Sequence, residues 1–436
     1  MAITAAIIAE YNPFHKGHAY QIAKTREITG ADHFVVIMSG DYVQRGKPAI
    51  MDKYLRTRMA LEGGADLVFE LPLRWASASA ADFAFGGCSI LDRLGCIDYL
   101  SFGSEAGTLD RLNRAAELFS DEPPLFSQIL KREMKNGRPY PAARAAAWQE
   151  YTGEDSSFLS EPNNILGISY LMALKKLGST IRPVTVQRIG NSYHDTVPGQ
   201  DGICMSAAAM RAFLRDSYEA ASYPLSSDGY AGSAAVHADL TDKQAKTNFY
   251  DALSSYIESP VSRSLLADEA GRSYPVSAED FWPMLRYRLI MESGQLESYA
   301  DMTPALAARI RKLESQAAGY EALADCLKTR EITRSRIDRA LLHLLLDIKR
   351  DDPPMSLPPY VRLLGMKRDH ADLLSEMLKG KGIPLLTKAM PENLQDQDLQ
   401  IYMEEVRAAD LYEAVVHMKY KGKAPQEELR RPLICL

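Results

Sequence analysis

Two histidines and a glycine stand where an apolar run hands over to a helix-like stretch. The run is Ile3 to Ala9, the stretch is Ala19 to Glu27, and between them lies Glu10-Tyr11-Asn12-Pro13-Phe14-His15-Lys16-Gly17-His18. The run reads as a buried strand and the stretch as a helix, so the chain must turn sharply at this point and bury both elements against further layers. At such a turn the first free N–H groups of the helix and the positive end of its dipole face outward, which favours an anion before any side chain contributes. Two imidazoles held there suit phosphate chemistry. The chain contains no Gly-x-x-x-x-Gly-Lys-Ser/Thr, which excludes a P-loop enzyme.

The same alternation continues. Further strand-like runs are Phe34 to Met38, Asp66 to Leu71, Ile97 to Phe102 and Ile181 to Ile189; helical patterns cover Lys53 to Glu62, Ala78 to Leu94 and Leu109 to Leu118. Strands alternating with helices predict an α/β fold, a parallel sheet wrapped by helices. In such sheets ligands bind beyond the carboxyl ends of the strands. The segments leaving those ends here are the histidine stretch, the Ser39 to Pro48 loop, Gly103-Ser104-Glu105, and Arg188-Ile189 running on to Tyr193-His194-Asp195.

At 436 residues the chain exceeds the roughly 250–300 residues over which one core keeps growing, so two domains are expected. We expect a catalytic domain over 1–220 with a helical insertion at 121–178, whose helices open at Pro123-Pro124, Pro139-Tyr140-Pro141 and Glu161-Pro162-Asn163-Asn164. Ser206 to Leu214 reads as a short helix capped by Ser206. Residues 221–242, rich in Ser, Ala, Gly and Asp, read as a linker, and 243–436 as a mainly α-helical C-terminal domain. The clearest helix there is Ser335 to Lys349, with Ile337, Leu341, Leu344, Leu345 and Ile348 on one face. The stretch from Lys328 to Arg339 that leads into it holds five basic residues, Lys328, Arg330, Arg334, Arg336 and Arg339, and two acidic ones.

The net charge is −6, so a nucleic-acid partner would have to be held by a local basic patch and not by bulk charge. The five cysteines, Cys88, Cys96, Cys204, Cys326 and Cys435, are scattered and odd in number. That pattern argues against both a zinc site and a disulfide framework, and no metal-binding residue is expected. No signal peptide is expected, no run reaches the roughly 20 apolar residues of a membrane span, and a cytoplasmic protein is the simplest reading.

His15-x-Gly17-His18 after a first strand resembles the signature of the nucleotidylyltransferase superfamily shared with class I aminoacyl-tRNA synthetases. Together with the Ser39 to Pro48 loop, Pro162-Asn163-Asn164-Ile165-Leu166-Gly167 and Tyr193-His194-Asp195, it is similar to the bacterial tRNA(Met) cytidine acetate ligases across nearly the whole chain. The resemblance implies a Rossmann-like sheet of the HxGH type, activation of acetate with ATP to acetyl-adenylate, and transfer of the acetyl group to the wobble cytidine of elongator tRNA(Met). It implies catalytic roles for His15 and His18. It also implies ATP contacts from Ile8, Ala9, Glu10, Tyr11, Asn12, Pro13, Phe14, His15, Lys16, Gly17, His18, Ala19, Tyr20 and Gln21, and from Gly103, Asn163 or Asn164, Arg188 and Ile189, with Mg²⁺ offsetting the triphosphate charge.

Several of these residues admit a plainer role. Asn163 and Asn164 are equally suited to capping the helix that follows. Arg188, at a strand end, reads better as a phosphate clamp than as surface charge. Arg45 and Lys47 are candidates to steer acetate or phosphate, and as readily solvated loop charges. The superfamily's Ser/Thr-rich signature ending in Arg finds its nearest match in Ser206-Ala207-Ala208-Ala209-Met210-Arg211, where Ala208 replaces the middle hydroxyl. Phosphate contacts there fall to Ser206, Arg211 and backbone N–H groups. The five basic residues of 328–339 are candidates for tRNA contact or a solvated helix face. Two other functions stay open on this sequence: a small-molecule adenylyltransferase, and an RNA-binding protein with a nucleotide-sensing site.

Overall fold

The computed structural model describes residues 2–188, 206–222, 243–329, 331–350, 357–380, 382–388, 391, 394, 396–421 and 425–436. Ile189, Tyr193-His194-Asp195, Cys204, Arg330 and most of the 221–242 linker lie outside the described residues. In chain order the strands are β1 (Thr4–Ala9), β2 (His33–Ser39), β3 (Tyr42–Val43), β4 (Lys47–Pro48), β5 (Leu67–Leu71), β6 (Tyr99–Ser104), β7 (Arg182–Gln187), β8 (Val361–Met366), β9 (Leu385–Leu386) and β10 (Ile434–Cys435). Helices α1 (Lys16–Thr29) and α2 (Lys53–Glu62) follow β1 and β4. Strands β3 and β4 form a separate antiparallel hairpin inside the Ser39 to Pro48 loop.

The main sheet runs β10-β8-β5-β2-β1-β6-β7, with β9 beside β8. Its five N-terminal strands are all parallel. The chain therefore starts in the middle, moves outward through β2 and β5, then returns to the other side of β1 for β6 and β7. That reversal makes a topological switch point between β1 and β6, where a crevice opens beyond the carboxyl ends of both strands. Both faces of the sheet are covered, which is why β1 and β2 read as nearly unbroken apolar runs. Ala6, Ile8, Val35, Ile37 and Phe69 pack on one face against the helices Ala80–Leu94, Asp110–Asp121 and Pro162–Leu177. Ala5, Ile7, Phe34, Val36 and Val68 pack on the other against Ile22 of α1 and Leu55 and Met59 of α2.

Beyond residue 243 the chain builds a second, helical core in which Leu285, Leu289, Leu306, Ile310, Leu323, Ile337 and Leu341 meet. The helix expected from Ser335 runs Arg334–Leu345, and Thr333 caps it by accepting from Arg336 N–H. The same half also returns to the sheet, which the sequence reading did not expect. Strand β8 lies antiparallel on β5, and β9 and β10 run parallel to β8. A buried arginine, Arg362, stands second in β8 and breaks its apolar pattern; it is neutralised by Glu428 and donates to the Tyr54 hydroxyl. No helix among the described residues is long and apolar enough to cross a membrane.

Candidate active site

His15 is the N-cap of α1, and His18 occupies its third position. The two imidazoles form a reciprocal cap. Gly17 N–H donates to His15 Nδ1 at 3.1 Å, and His15 N–H donates to His18 Nδ1 at 3.2 Å. This is the arrangement that Ser or Thr and Glu make in a capping box, built here from two histidines. The rings stack 3.8 Å apart at 25°. Because each Nδ1 accepts, the proton of each neutral ring resides on Nε2, leaving one outward N–H donor per ring. Burial, with the charges of Arg188 and Arg211, pulls the pKa of His15 down to about 3. Burial, His15 and Arg188 hold His18 well below its ordinary value. The pair is thus neutral at physiological pH.

The turn is held from beneath. Tyr11 adopts φ 45°, a left-handed conformation that a bulky residue takes only when its surroundings impose it. Its ring and that of Phe14 are buried, 4.9 Å apart edge to face, and both pack on His18. The Tyr11 and Phe14 side chains therefore support the histidines from inside and do not face the crevice. Ile8 is likewise a core side chain, with its carbonyl accepting from Tyr170 OH at 3.3 Å. Asn12 Oδ1 accepts from Ile50 N–H at 2.8 Å, and Asn12 C=O accepts from Arg211 at 2.7 Å. Arg211 so reaches the histidine turn from the helix Ala207–Ser222, which Ser206 caps by accepting from Ala209 N–H. Arg56 of α2, fully buried, donates to the carbonyls of Glu10, Ser39, Gly40 and Met51 and thereby ties the ends of β1 and β2 together. Sequence reasoning passed over Arg56, since a lone basic residue in an amphipathic helix carries no signal that it turns inward.

The facing wall comes from β6 and the insertion. Glu105 accepts from Asn163 Nδ2 at 2.6 Å and from Asn164 N–H at 2.9 Å. Asn164 is buried, accepts from Ala106 N–H and donates to Phe158 C=O. It pins the insertion to the end of β6, with both its amide oxygen and its amide nitrogen engaged within the protein. Asn163 stays at the surface of the crevice, its Oδ1 3.4 Å from Arg188 Nη1. Arg188 is exposed at the end of β7. At Gly103 an added Cβ would lie 3.4 Å from Arg188 Cγ and 3.9 Å from Gln21 Oε1. The missing side chain leaves a flat floor between the arginine and α1. Lys16, Gly17 and Ala19 are partly exposed on the first turn of α1, Tyr20 is exposed, and Ala9 and Pro13 flank the motif.

The Ser39 to Pro48 loop faces two ways. Gln44 N–H donates to Glu10 at 3.0 Å, which fastens the loop to the histidine segment, and Arg45 is exposed. Lys47 points elsewhere. It pairs with Glu321 at 2.9 Å and lies 3.9 Å from Asp338, so it is engaged with the helical half and not directed at phosphate. Gly46, at φ +77°, lets the loop sit directly on the backbone of Arg339, where a Cβ would approach the Arg339 N to 2.2 Å. Of the candidate tRNA contacts, Arg339 is buried and bidentate to Asp301, and Arg334 is shared among Glu321, Asp325 and Asp338. Those two charges are consumed internally. Lys328 and Arg336 are exposed.

A family model described as HIGH Nucleotidyl Transferase matches residues 1–428. The chain belongs to the HIGH nucleotidyl transferase family. In this member the signature reads His15-Lys16-Gly17-His18. It is 36% identical over 434 residues to a tRNA(Met) cytidine acetate ligase of Acetivibrio thermocellus, covering 97% of each chain. It is 31% identical over 428 residues to the protein of that name from Geobacillus sp., covering 98% of each. Among solved structures it is similar to Thermotoga maritima TmcAL without ligand, with a TM-score of 0.84 and 26% identity over 100% of this chain and 99% of that one. It is also similar to TmcAL bound with alpha-thio ATP, with a TM-score of 0.82 and 25% identity over 99% of each chain. This family member therefore shares its fold, from end to end, with a protein whose crystal structure holds an ATP analogue.

Proposed function

We propose that the chain is an ATP-dependent tRNA(Met) cytidine acetate ligase, AMP-forming, working in two steps at the crevice between β1 and β6. The observation that carries this reading is the neutral, mutually capped histidine pair at that switch point, in a chain alike over its whole length to ligases of that name. A carboxylate oxygen of acetate attacks the α-phosphorus of ATP, the bond from that phosphorus to the β-phosphate oxygen breaks, and pyrophosphate leaves. The exocyclic amine of the wobble cytidine of elongator tRNA(Met) then attacks the acetyl carbon. The bond to AMP breaks, and the amine gives up a proton.

In the first step His15 and His18 supply Nε2–H donors fixed by their caps, so charge growing on the α-phosphate meets dipoles that need no reorganisation. Their neutrality matters, since a neutral imidazole fills the donor role without first having to lose or gain a proton. Arg188 and Arg211 take the remaining phosphate charge, and Gln21, Gly103 and Asn163 line the nucleoside side. Mg²⁺ enters with the triphosphate in this reading. The nearby carboxylates are already engaged, Glu10 by Gln44 N–H and Glu105 by the two asparagines. Phosphate oxygens and water would therefore be its ligands, the usual arrangement for this ion. In this reading the reaction belongs to the cytoplasm, where ATP, acetate and elongator tRNA(Met) would meet.

A small-molecule adenylyltransferase would need little beyond the sheet, whereas here the helical half is docked on the Ser39 to Pro48 loop through Gly46, Lys47 and Arg339. The test is to incubate the purified chain with ATP and acetate and to look for acetyl-AMP and pyrophosphate. Finding neither, or finding AMP transferred to a phosphorylated cofactor precursor without RNA, would overturn the reading.

A further inference from the structure

At the opposite ends of the strands from the histidine pair, three potential ligands from distant parts of the chain converge. His33 opens β2, Asp66 immediately precedes β5, and His370 closes the short helical turn Arg368–His370 after β8. One ligand atom from each can be chosen so that all three lie within 4.8 Å of one another. His33 Nδ1 is 2.8 Å from His370 Nδ1, and His370 Nε2 is 3.3 Å from Asp66 Oδ1. A nitrogen-to-nitrogen contact of that length requires that one of the two carry no proton. One Nδ1 therefore carries a lone pair, and an ion between the rings requires the other to shift its proton to Nε2.

We propose that His33, Asp66 and His370 form a binding site for a borderline divalent cation of the Zn²⁺, Co²⁺ or Ni²⁺ class. Two histidines and one carboxylate, with a position left for water, are a donor set that suits such ions and not Mg²⁺. Asp66 is buried, 2% exposed, and its two oxygens are divided in function. Oδ2 accepts from Phe34 N–H and pairs with Arg26, which fixes the carboxylate as an outer-shell partner would. Oδ1 faces His370 and Lys367 Nζ, the latter at 3.5 Å. Lys367 is the cation a metal must displace. It is 32% exposed and can turn its ammonium to solvent. Arg26 does not need to move, because it also donates to the carbonyls of Ala31, Asp32 and Gly64. Metal–nitrogen bonds of about 2.0–2.1 Å put two histidine nitrogens about 3.3 Å apart in a tetrahedral shell. For both Nδ1 atoms to ligate they have to part from 2.8 Å by about half an ångström, and His370 has to tilt so that Asp66 Oδ1, now 3.3 Å from its Nε2, reaches the same ion.

The ion would join the starts of β2 and β5 to the turn after β8, fastening the antiparallel strand of the C-terminal half to the parallel sheet. It would act on stability and leave the crevice untouched, since the ligands lie at the far ends of the strands. The test uses the full chain and its His370→Ala variant, whose changed residue is partly exposed. Co²⁺ is titrated and its visible ligand-field absorption followed, and melting temperatures are measured with Zn²⁺, with Mg²⁺ and with chelator. Expected are a one-to-one tetrahedral-type Co²⁺ spectrum, weakened at least tenfold in affinity by His370→Ala, and a rise in melting temperature with Zn²⁺ but not Mg²⁺ that the variant loses. His33→Asn serves as a second variant and should weaken Co²⁺ likewise. No Co²⁺ spectrum, or one equally strong in both variants, would overturn the site.

Discussion

His15 joins two requirements that ordinarily fall on different residues: its Nδ1 caps α1, which leaves its Nε2–H as the donor the proposed reaction uses. Asparagine caps helices well but offers no donor in that place. His15→Asn is therefore expected to keep the fold, with at most about 1 kcal/mol lost, while acetyl-AMP formation falls about 100-fold or more, the cost of removing one fixed donor from a developing oxyanion. Parallel thermal melts and pyrophosphate release measure the two effects. The same residue dictates a pH dependence. The ordinary value of 6.5 falls to about 3 on folding, so the unfolded chain holds this proton more tightly. The stability that neutral His15 contributes is complete above about pH 6.5 and is lost as pH falls through about 3. Melting temperatures taken between those limits should decline on acidification, and less steeply in His15→Asn. The two asparagines divide cleanly. Asn164→Ala strands the buried Phe158 carbonyl and the half-buried Ala106 N–H and should cost about 1–3 kcal/mol in urea denaturation, whereas Asn163→Ala should leave stability unchanged and raise the KM for ATP.

Among the elements, legibility followed periodicity. Lys53 to Glu62 was readable to the residue, and β1, β2, β5 and β6 to within two residues, because buried parallel strands are apolar throughout and the helices between them are capped and periodic. Strand β8 was not readable. Near its start stands Arg362, whose burial depends on Glu428 and Tyr54, partners remote in sequence. The site shows the same division. The histidine turn announces itself locally, and so does the i,i+4 pair of Arg334 with Asp338, while Arg56 and the internal pairing of Lys47 and Arg339 depend on tertiary neighbours that no local pattern encodes. That pairing reverses part of the expected RNA surface. Arg339→Ala should lower the melting temperature by leaving Asp301 half-buried without its bidentate partner. Lys328→Ala and Arg336→Ala, at exposed positions, should leave it unchanged and each reduce the slope of log tRNA affinity against log salt by about one.

For the molecule as a whole, the C-terminal half is bound to the catalytic sheet through a buried ionic cluster. Lys53 of α2 lies 2.7 Å from both Glu70 of β5 and Glu428, and Glu428 also receives Arg362 and the Tyr54 hydroxyl at 2.8 Å. Removing one carboxylate leaves buried cations underpaired, so Glu428→Ala is expected to cost about 3 kcal/mol or more in urea denaturation. This cluster, the Gly46 contact on Arg339 and strand β8 make the C-terminal half structurally continuous with the crevice, which the proposed transfer from adenylate to tRNA would require. Mass spectrometry of nucleosides from elongator tRNA(Met), after incubation with the chain, ATP and carbon-labelled acetate, tests this claim most directly. The expected result is one labelled acetyl group on the wobble cytidine, dependent on ATP, matched by one AMP and one pyrophosphate, and abolished by His15→Asn. Unmodified cytidine with the wild-type chain, or label incorporated without ATP, would contradict it.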